Sequence, residues 1–246
     1  MARKNSIKKS FTYHQTLLAD EKGETSMNSE KNAAIRSEVF KQELVSSLLS
    51  KKVSTIKKVA KRIRRQRIEG LDQALAEALD FVMTKPRSWE AQHELILTIA
   101  ATDCTSLIPY LEELVQGNYS ATVLYRSLAL AIVYLQNKDR KELSYVYSIL
   151  ESGNQNLFAG ALLGLNQREV VLSHEEVQDF YCTAKREVYL ENFRQVISPI
   201  QVLVSMAYLF EDKDRQELIS YCQELNSAFF SSIITNLNKN KKIPYL

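Results

Sequence analysis

The chain has 246 residues, 45% of them hydrophobic and 25% charged, with only 6 Gly and 4 Pro. So few turn residues, against roughly 12% Gly plus Pro in an average protein, exclude all-β sandwiches and barrels and also doubly wound folds with Gly-rich loops. An all-helical protein remains, and its net charge of +3 is unevenly spread: residues 1–70 hold 17 Lys/Arg against 7 Asp/Glu, residues 71–246 hold 15 against 22.

Residues 1–30 are polar and basic without periodicity, which predicts a disordered or loosely attached tail. They contain no apolar core of a secretory signal. From Ala33 onward apolar residues recur at helical spacing. The pattern predicts helices over 33–49, 52–67, 71–84, 88–101, 106–116, 120–136, 139–151, 156–165, 173–190, 198–210, 214–225 and 227–237, followed by a short basic tail at 238–246. Lys85-Pro86 ends one helix and Ser88 caps the next. Asp139-x-x-Glu142, Ser173-x-x-Glu176 and Asp214-x-x-Glu217 read as capping boxes, in which a side-chain oxygen and a carboxylate satisfy free N–H groups. Ser198-Pro199 is a cap followed by proline at a position that needs no N–H. Ser152-Gly153 reads as a helix stop. The short connections make neighbouring helices antiparallel.

Lys138-Asp139-Arg140-Lys141-Glu142-Leu143 matches Lys213-Asp214-Arg215-Gln216-Glu217-Leu218 at five of six positions, 75 residues apart. Each copy follows an apolar helix, and the box at Ser173 lies between them. The spacing predicts a unit of two helices that cannot bury both its faces alone and must stack on its neighbours.

The stretch Ser88-Trp89-Glu90-Ala91-Gln92 through Ala101, then Thr102-Asp103-Cys104-Thr105-Ser106-Leu107-Ile108-Pro109-Tyr110-Leu111-Glu112-Glu113-Leu114, resembles a HEAT-type repeat: an apolar first helix, a short Asp-containing turn, a Pro, then a second helix of L-x-x-L character. The resemblance extends over about residues 50–237 and is clearest at 88–116. It implies a right-handed α-solenoid of stacked antiparallel helix pairs spanning 31–237, with the second helices lining a concave side.

The sharpest local signal is KKVSTIKKVAKRIRRQR, Lys51 to Arg67, with nine basic and no acidic residues. On a helix, Val53, Ile56, Val59, Ala60 and Ile63 fall within an arc of roughly 120°. Lys51, Lys57, Lys58, Lys61, Arg62, Arg64 and Arg65 fall opposite. Such a helix docks its apolar stripe and presents its cations to solvent, to nucleic-acid phosphates or to an acidic protein. The apolar side lacks the Trp, Phe or Leu of a membrane-surface helix. No aromatic is interleaved for base stacking, so contacts to phosphates are expected rather than base readout.

Other signals point away from catalysis. His93 and His174 begin HE-type sequences but lack the second His four residues on that zinc requires, and His14 stands alone. Cys104, Cys182 and Cys222 form no C-x-x-C and read as small core residues in a reducing compartment. No phosphate loop or nucleophile elbow is present. Gly160-x-x-x-Gly164 predicts a close helix–helix approach. Trp89 is expected in the core. Tyr145 falls off the stripe of Leu143, Val146 and Leu150 and is expected on the surface as a partner contact. No apolar run reaches membrane-spanning length. Among HEAT-like proteins, the alkylpurine DNA glycosylases use a carboxylate near aromatics at the flipped base. Trp89 with Asp103 or Asp80 would imitate that, but the residue four after Trp89 is His93, and the acidic charge of 71–246 opposes a DNA-lined groove.

The reading is a cytoplasmic, non-enzymatic scaffold without cofactor or metal that binds a protein partner, with residues 51–67 as a basic face for nucleic acid or an acidic partner and no membrane contact. The alternatives are an immunity- or inhibitor-type protein whose acidic body caps a toxin or enzyme, and the glycosylase.

Overall fold

The computed structural model describes residues 38–85, 87–119, 122–190, 197–225 and 234–235. The two tails expected at 1–30 and 238–246, and nearly all of the helix expected at 227–237, lie outside the described residues. The chain divides into two units, Met1–Ser47 and Leu48–Leu246. In the first, residues 38–47 are helical; this helix, α1, runs over 38–48.

The second unit contains α2 (Val53–Gln66), α3 (Asp72–Met83), α4 (Trp89–Ala101), α5 (Ile108–Val115), α6 (Val123–Gln136), α7 (Ser144–Ile149), α8 (Gln155–Gln167), α9 (His174–Ala184), α10 (Glu187–Leu190), α11 (Pro199–Met206) and α12 (Asp212–Glu224). Short 3-10 turns, Thr105–Leu107 and Ala207–Leu209, precede α5 and follow α11. Among the described residues there is no strand, so the chain is all-α.

Two kinds of helix follow from two kinds of sequence. Helices α6, α8 and α11 are mostly apolar and covered on every side, and none of their residues is exposed except Gln167. Helix α4 matches them after its first two residues. They form a central series in which α2 packs on α4, α4 on α6, α6 on α8 and α8 on α11. Helices α3, α5, α7 and α9 are one-sided and lie against α4, α6, α8 and α11 respectively. A helix with one apolar stripe has one face to bury, whereas an apolar cylinder needs neighbours on every side.

The closest approach in the series is set by two glycines. A Cβ on Gly160 would lie 2.2 Å from the Arg126 carbonyl oxygen, and one on Gly164 would lie 2.8 Å from that of Leu130. The Gly160-x-x-x-Gly164 pattern thus brings the α8 and α6 backbones together.

Polar bonds tie successive helix pairs at similar sequence separations. Thr98 donates to the Ala60 carbonyl across 38 residues, Tyr110 to Asp80 across 30, Arg168 Nε to the Tyr134 carbonyl across 34, and Tyr189 to the Leu150 carbonyl across 39.

Three central helices end alike. Arg67, Asp103 and Glu169 take left-handed backbone conformations at φ of 49°, 53° and 53°. The next N–H then reaches back to the carbonyls of Ile63, Ile99 and Leu165, as in a Schellman cap.

Several local expectations require correction. The hexapeptides at 138 and 213 are not conformational equivalents. Residues 138–143 form an irregular loop, whereas Lys213–Leu218 lies inside α12. Asn137 organises that loop by donating to the Val133 and Glu142 carbonyls and accepting from the Glu142 N–H, so α7 starts at Ser144 rather than Asp139. Asp214 is no cap either. It sits in the first turn of α12, 1% exposed, and accepts from Gln178 while paired with His174. Ser88 occupies an N-cap position but donates to the Val82 and Lys85 carbonyls instead. The boxes at Ser173 and Ser198 are both formed, the latter with Gln201. Gly153 has the left-handed φ of 66° that a stop requires. Cys104 and Cys222 are buried, and burial pushes each thiol up to about 12. Cys182 faces solvent.

Candidate polyanion-binding face

Helix α2 buries Ile56, Ala60 and Ile63, at spacings of four and three. That stripe fixes the rotation of the helix. Lys58, Lys61, Arg62 and Arg65 then fall within about 100° of arc on the far side, and all four are exposed. Lys51 and Lys52 precede the helix and Arg67 follows it, also exposed. Lys51 lines the mouth of a cleft of about 310 Å³, together with Leu48, Leu49, Glu77, Ala78 and Phe81.

The seven cations singled out from the sequence divide into two sets. Lys57 pairs with Glu90, the lysine holding that carboxyl below its usual range. Arg64 Nε donates to Glu94 Oε1 at 2.7 Å, and its terminal nitrogen reaches Oε2 at 3.4 Å. These two flank the buried stripe and clamp α2 to α4. Lys51, Lys58, Lys61, Arg62 and Arg65 present the outward charge. Sequence periodicity placed all seven on one side but did not separate clamp from stripe, because the partners lie some thirty residues away on α4.

The charge of the flanking helices is opposite. Helices α3, α5, α7 and α9 contain eight Asp/Glu and no Lys or Arg. Among them Glu77, Asp80, Glu113, Glu175 and Asp179 are exposed. Tyr110 donates to Asp80 at 2.6 Å and Tyr147 to Asp179 at 3.2 Å, so tyrosines of α5 and α7 reach carboxylates of α3 and α9.

Tyr145 is not the exposed contact expected of it. It is half-buried against the core, and burial, with Glu112 adding to it, raises its phenol well above the ordinary value. Its neighbour Tyr147, 40% exposed, takes the surface position. Trp89 is 44% exposed rather than in the core, because it opens α4 before the helix enters the central series.

A second polar group surrounds the start of α4 and α6. The His93 ring lies 2.6 Å from Ser127 Oγ. Ser127 gives its own proton to the Val123 carbonyl, so His93 Nδ1 is the donor. Burial lowers the His93 pKa; Arg126 and Arg64 add to that, and Glu94 opposes it.

Trp89 and Asp103 do not meet. They bracket α4, about 20 Å apart along the helix axis, and Asp103 is engaged by Arg168 and Lys138. Asp80 is held by Tyr110. Among the described residues no three His, Cys, Asp or Glu side chains converge as a metal site, and no helix is long and apolar enough to cross a membrane. Compared with protein-family models, curated proteins and solved structures, the chain matches none of them.

Proposed function

We propose that the chain is a non-enzymatic binding module, a HEAT-like stack of helix pairs, whose α2 stripe holds the phosphate backbone of a nucleic acid. The observation that carries this reading is the division of labour on α2. Lys57 and Arg64 are committed to carboxylates, while Lys58, Lys61 and Arg65 project together from a helix docked on its opposite side. Like charges this close repel one another by a few tenths of a kcal/mol per pair, a cost that bound phosphates convert into attraction. Phosphate contact without base readout gives weak sequence preference and steep salt dependence. A cytoplasmic location accompanies this reading, in keeping with free Cys104, Cys182 and Cys222.

The acidic face favours a second reading, that of an inhibitor-type protein. The eight carboxylates of α3, α5 and α9, on helices that carry no Lys or Arg of their own, suit a basic protein surface. The two readings make different demands. Reversing Lys58, Lys61 and Arg65 to Glu removes DNA binding under the first. Under the second it leaves partner binding intact, and Glu77→Lys with Asp179→Lys abolishes it. Electrophoretic shift with a short DNA duplex decides the first: retention of binding by the triple reversal contradicts it.

A further inference from the structure

We infer that Ser54 is a phosphorylation site whose phosphate pairs with Lys58 and shuts off the α2 stripe; the shut-off rests on the reading of α2 as a polyanion-binding helix. Ser54 lies in the first turn of α2 and is exposed. At about 100° per residue, Lys58, Lys61 and Arg65 all fall within about 40° of it. One arc of the helix thus carries the hydroxyl and the three outward cations. Thr55, the other hydroxyl of α2, is half-buried and about 100° away. The Ser54 hydroxyl is bonded to no other described residue.

The flanks suit phosphoryl transfer. Lys51 and Lys52 stand three and two residues before Ser54, Lys57 and Lys58 three and four after it, and no acid lies between Lys51 and Arg67. A kinase that selects its acceptor by surrounding cations meets them on both sides. Lys51 and Lys52 precede the helix, the first at a left-handed φ of 55° and the second extended. The first buried side chain of α2 is Ile56, so opening the first turn to fit a kinase cleft displaces no core anchor, and helix ends open at low cost. In the transfer, Ser54 Oγ attacks the γ-phosphorus of a nucleoside triphosphate. The Oγ–P bond forms, the bond to the β–γ bridging oxygen breaks, the nucleoside diphosphate leaves, and the hydroxyl proton passes to the base of the kinase.

The phosphate is favoured where it forms. The first turn of α2 holds no acid, and Lys52 at the N-cap makes no side-chain bond, so free N–H groups and the positive end of the helix dipole face the new charge. An acid four residues before a lysine is the favoured order for a helical ion pair, which joins the phosphate to Lys58. With a charge of about −1.5 to −2, it offsets most of the charge of Lys58, Lys61 and Arg65. A duplex then meets a nearly neutral arc in place of a positive one.

The test has three arms on the full chain. Incubation with Mg²⁺, ATP and the catalytic domain of a basophilic kinase of the protein kinase C class should place phosphate at Ser54, mapped by mass spectrometry. Lys51→Glu with Lys52→Glu should slow this at least about tenfold; phosphate at other serines but not at Ser54 overturns the site. In the second arm, phosphoserine is installed genetically at 54 or, as a control, at exposed Ser148 on α7. Phosphoserine at 54 should weaken binding to a short DNA duplex at least about tenfold and make the salt slope shallower by about 1.5 to 2, while the control leaves the slope unchanged. Equal slopes in the two chains overturn the shut-off. The third arm is a ³¹P titration without DNA. The second phosphate pKa should be lower at 54 than at 148, and Lys58→Ala should raise it again; equal values overturn the pairing. A native chain that binds no duplex contradicts the α2 reading alone, and the first and third arms then decide the site.

Discussion

Gly160 of α8 lies against the backbone of Arg126 on α6 so closely that a methyl group there would stand 2.2 Å from the Arg126 carbonyl oxygen. The obstacle is backbone in the middle of the packed series, not the end of a flexible side chain. Helix propensity favours alanine over glycine by about 1 kcal/mol, but overpacking against rigid neighbours costs more. Gly160→Ala should therefore destabilise the protein by about 2–4 kcal/mol. Urea denaturation checks this, with the midpoint lowered and the slope unchanged. A rise in stability would mean that α6 and α8 are not held at this separation.

Asp214 should be a second sensitive position. Its carboxylate is 1% exposed and is met by His174 Nδ1 at 2.7 Å and Gln178 Nε2 at 3.0 Å. It joins α9 to α12. Asp214→Ala leaves two polar side chains facing a void and should cost about 2–4 kcal/mol. His174→Gln, which keeps a donor near the carboxylate, should cost less. Thermal melts of the two variants rank them.

Much of this fold is legible in the sequence. The apolar stripe of α2, the turn before α4, the box at Ser173 and the cap at Ser198 all follow from local chemistry, and most helix boundaries agree with it to within a few residues, although α7 begins five residues late and the helix expected over 173–190 breaks into α9 and α10. What escapes is decided elsewhere in the chain. Arg67, Asp103 and Glu169 close their helices in left-handed conformations without glycine, so these three shared helix ends leave no residue signature. The hexapeptide that did repeat is loop in one copy and helix in the other, because Asn137 captures the first. Asp139 and Asp214 look alike as caps, yet one lies in a loop and the other is buried by α9. Lys57 and Arg64 are indistinguishable from Lys58 and Arg65 by periodicity, and only α4 tells them apart.

His93 makes stability depend on pH. Its folded pKa lies below the ordinary imidazole value of 6.5, through burial first, with Arg126 of α6 and Arg64 of α2 adding and Glu94 of α4 opposing. The unfolded chain then binds more protons in the window between the lowered value and 6.5. Stability contributed by the neutral ring is present above that window and is lost as pH falls through it. His93→Gln should flatten the slope there, measured by urea midpoints at a series of pH values. An unchanged slope would place the responsible group elsewhere.

The clamp and the stripe of α2 should respond differently to substitution. Arg64→Ala breaks a two-point pair with nearly buried Glu94 and should lower stability by about 1–3 kcal/mol. Lys58→Ala, Lys61→Ala and Arg65→Ala each relieve like-charge repulsion and should change it by less than about 0.5 kcal/mol. Differential scanning calorimetry separates the groups; equal losses would deny the division.

The most direct test is the salt dependence of binding to a short DNA duplex, measured by fluorescence anisotropy. Four to five outward cations predict that log K falls against log salt with a slope of about −3.5 to −4.5. The triple reversal of Lys58, Lys61 and Arg65 should abolish binding while helicity is retained. A slope near zero, or binding undiminished in the triple reversal, would contradict the account.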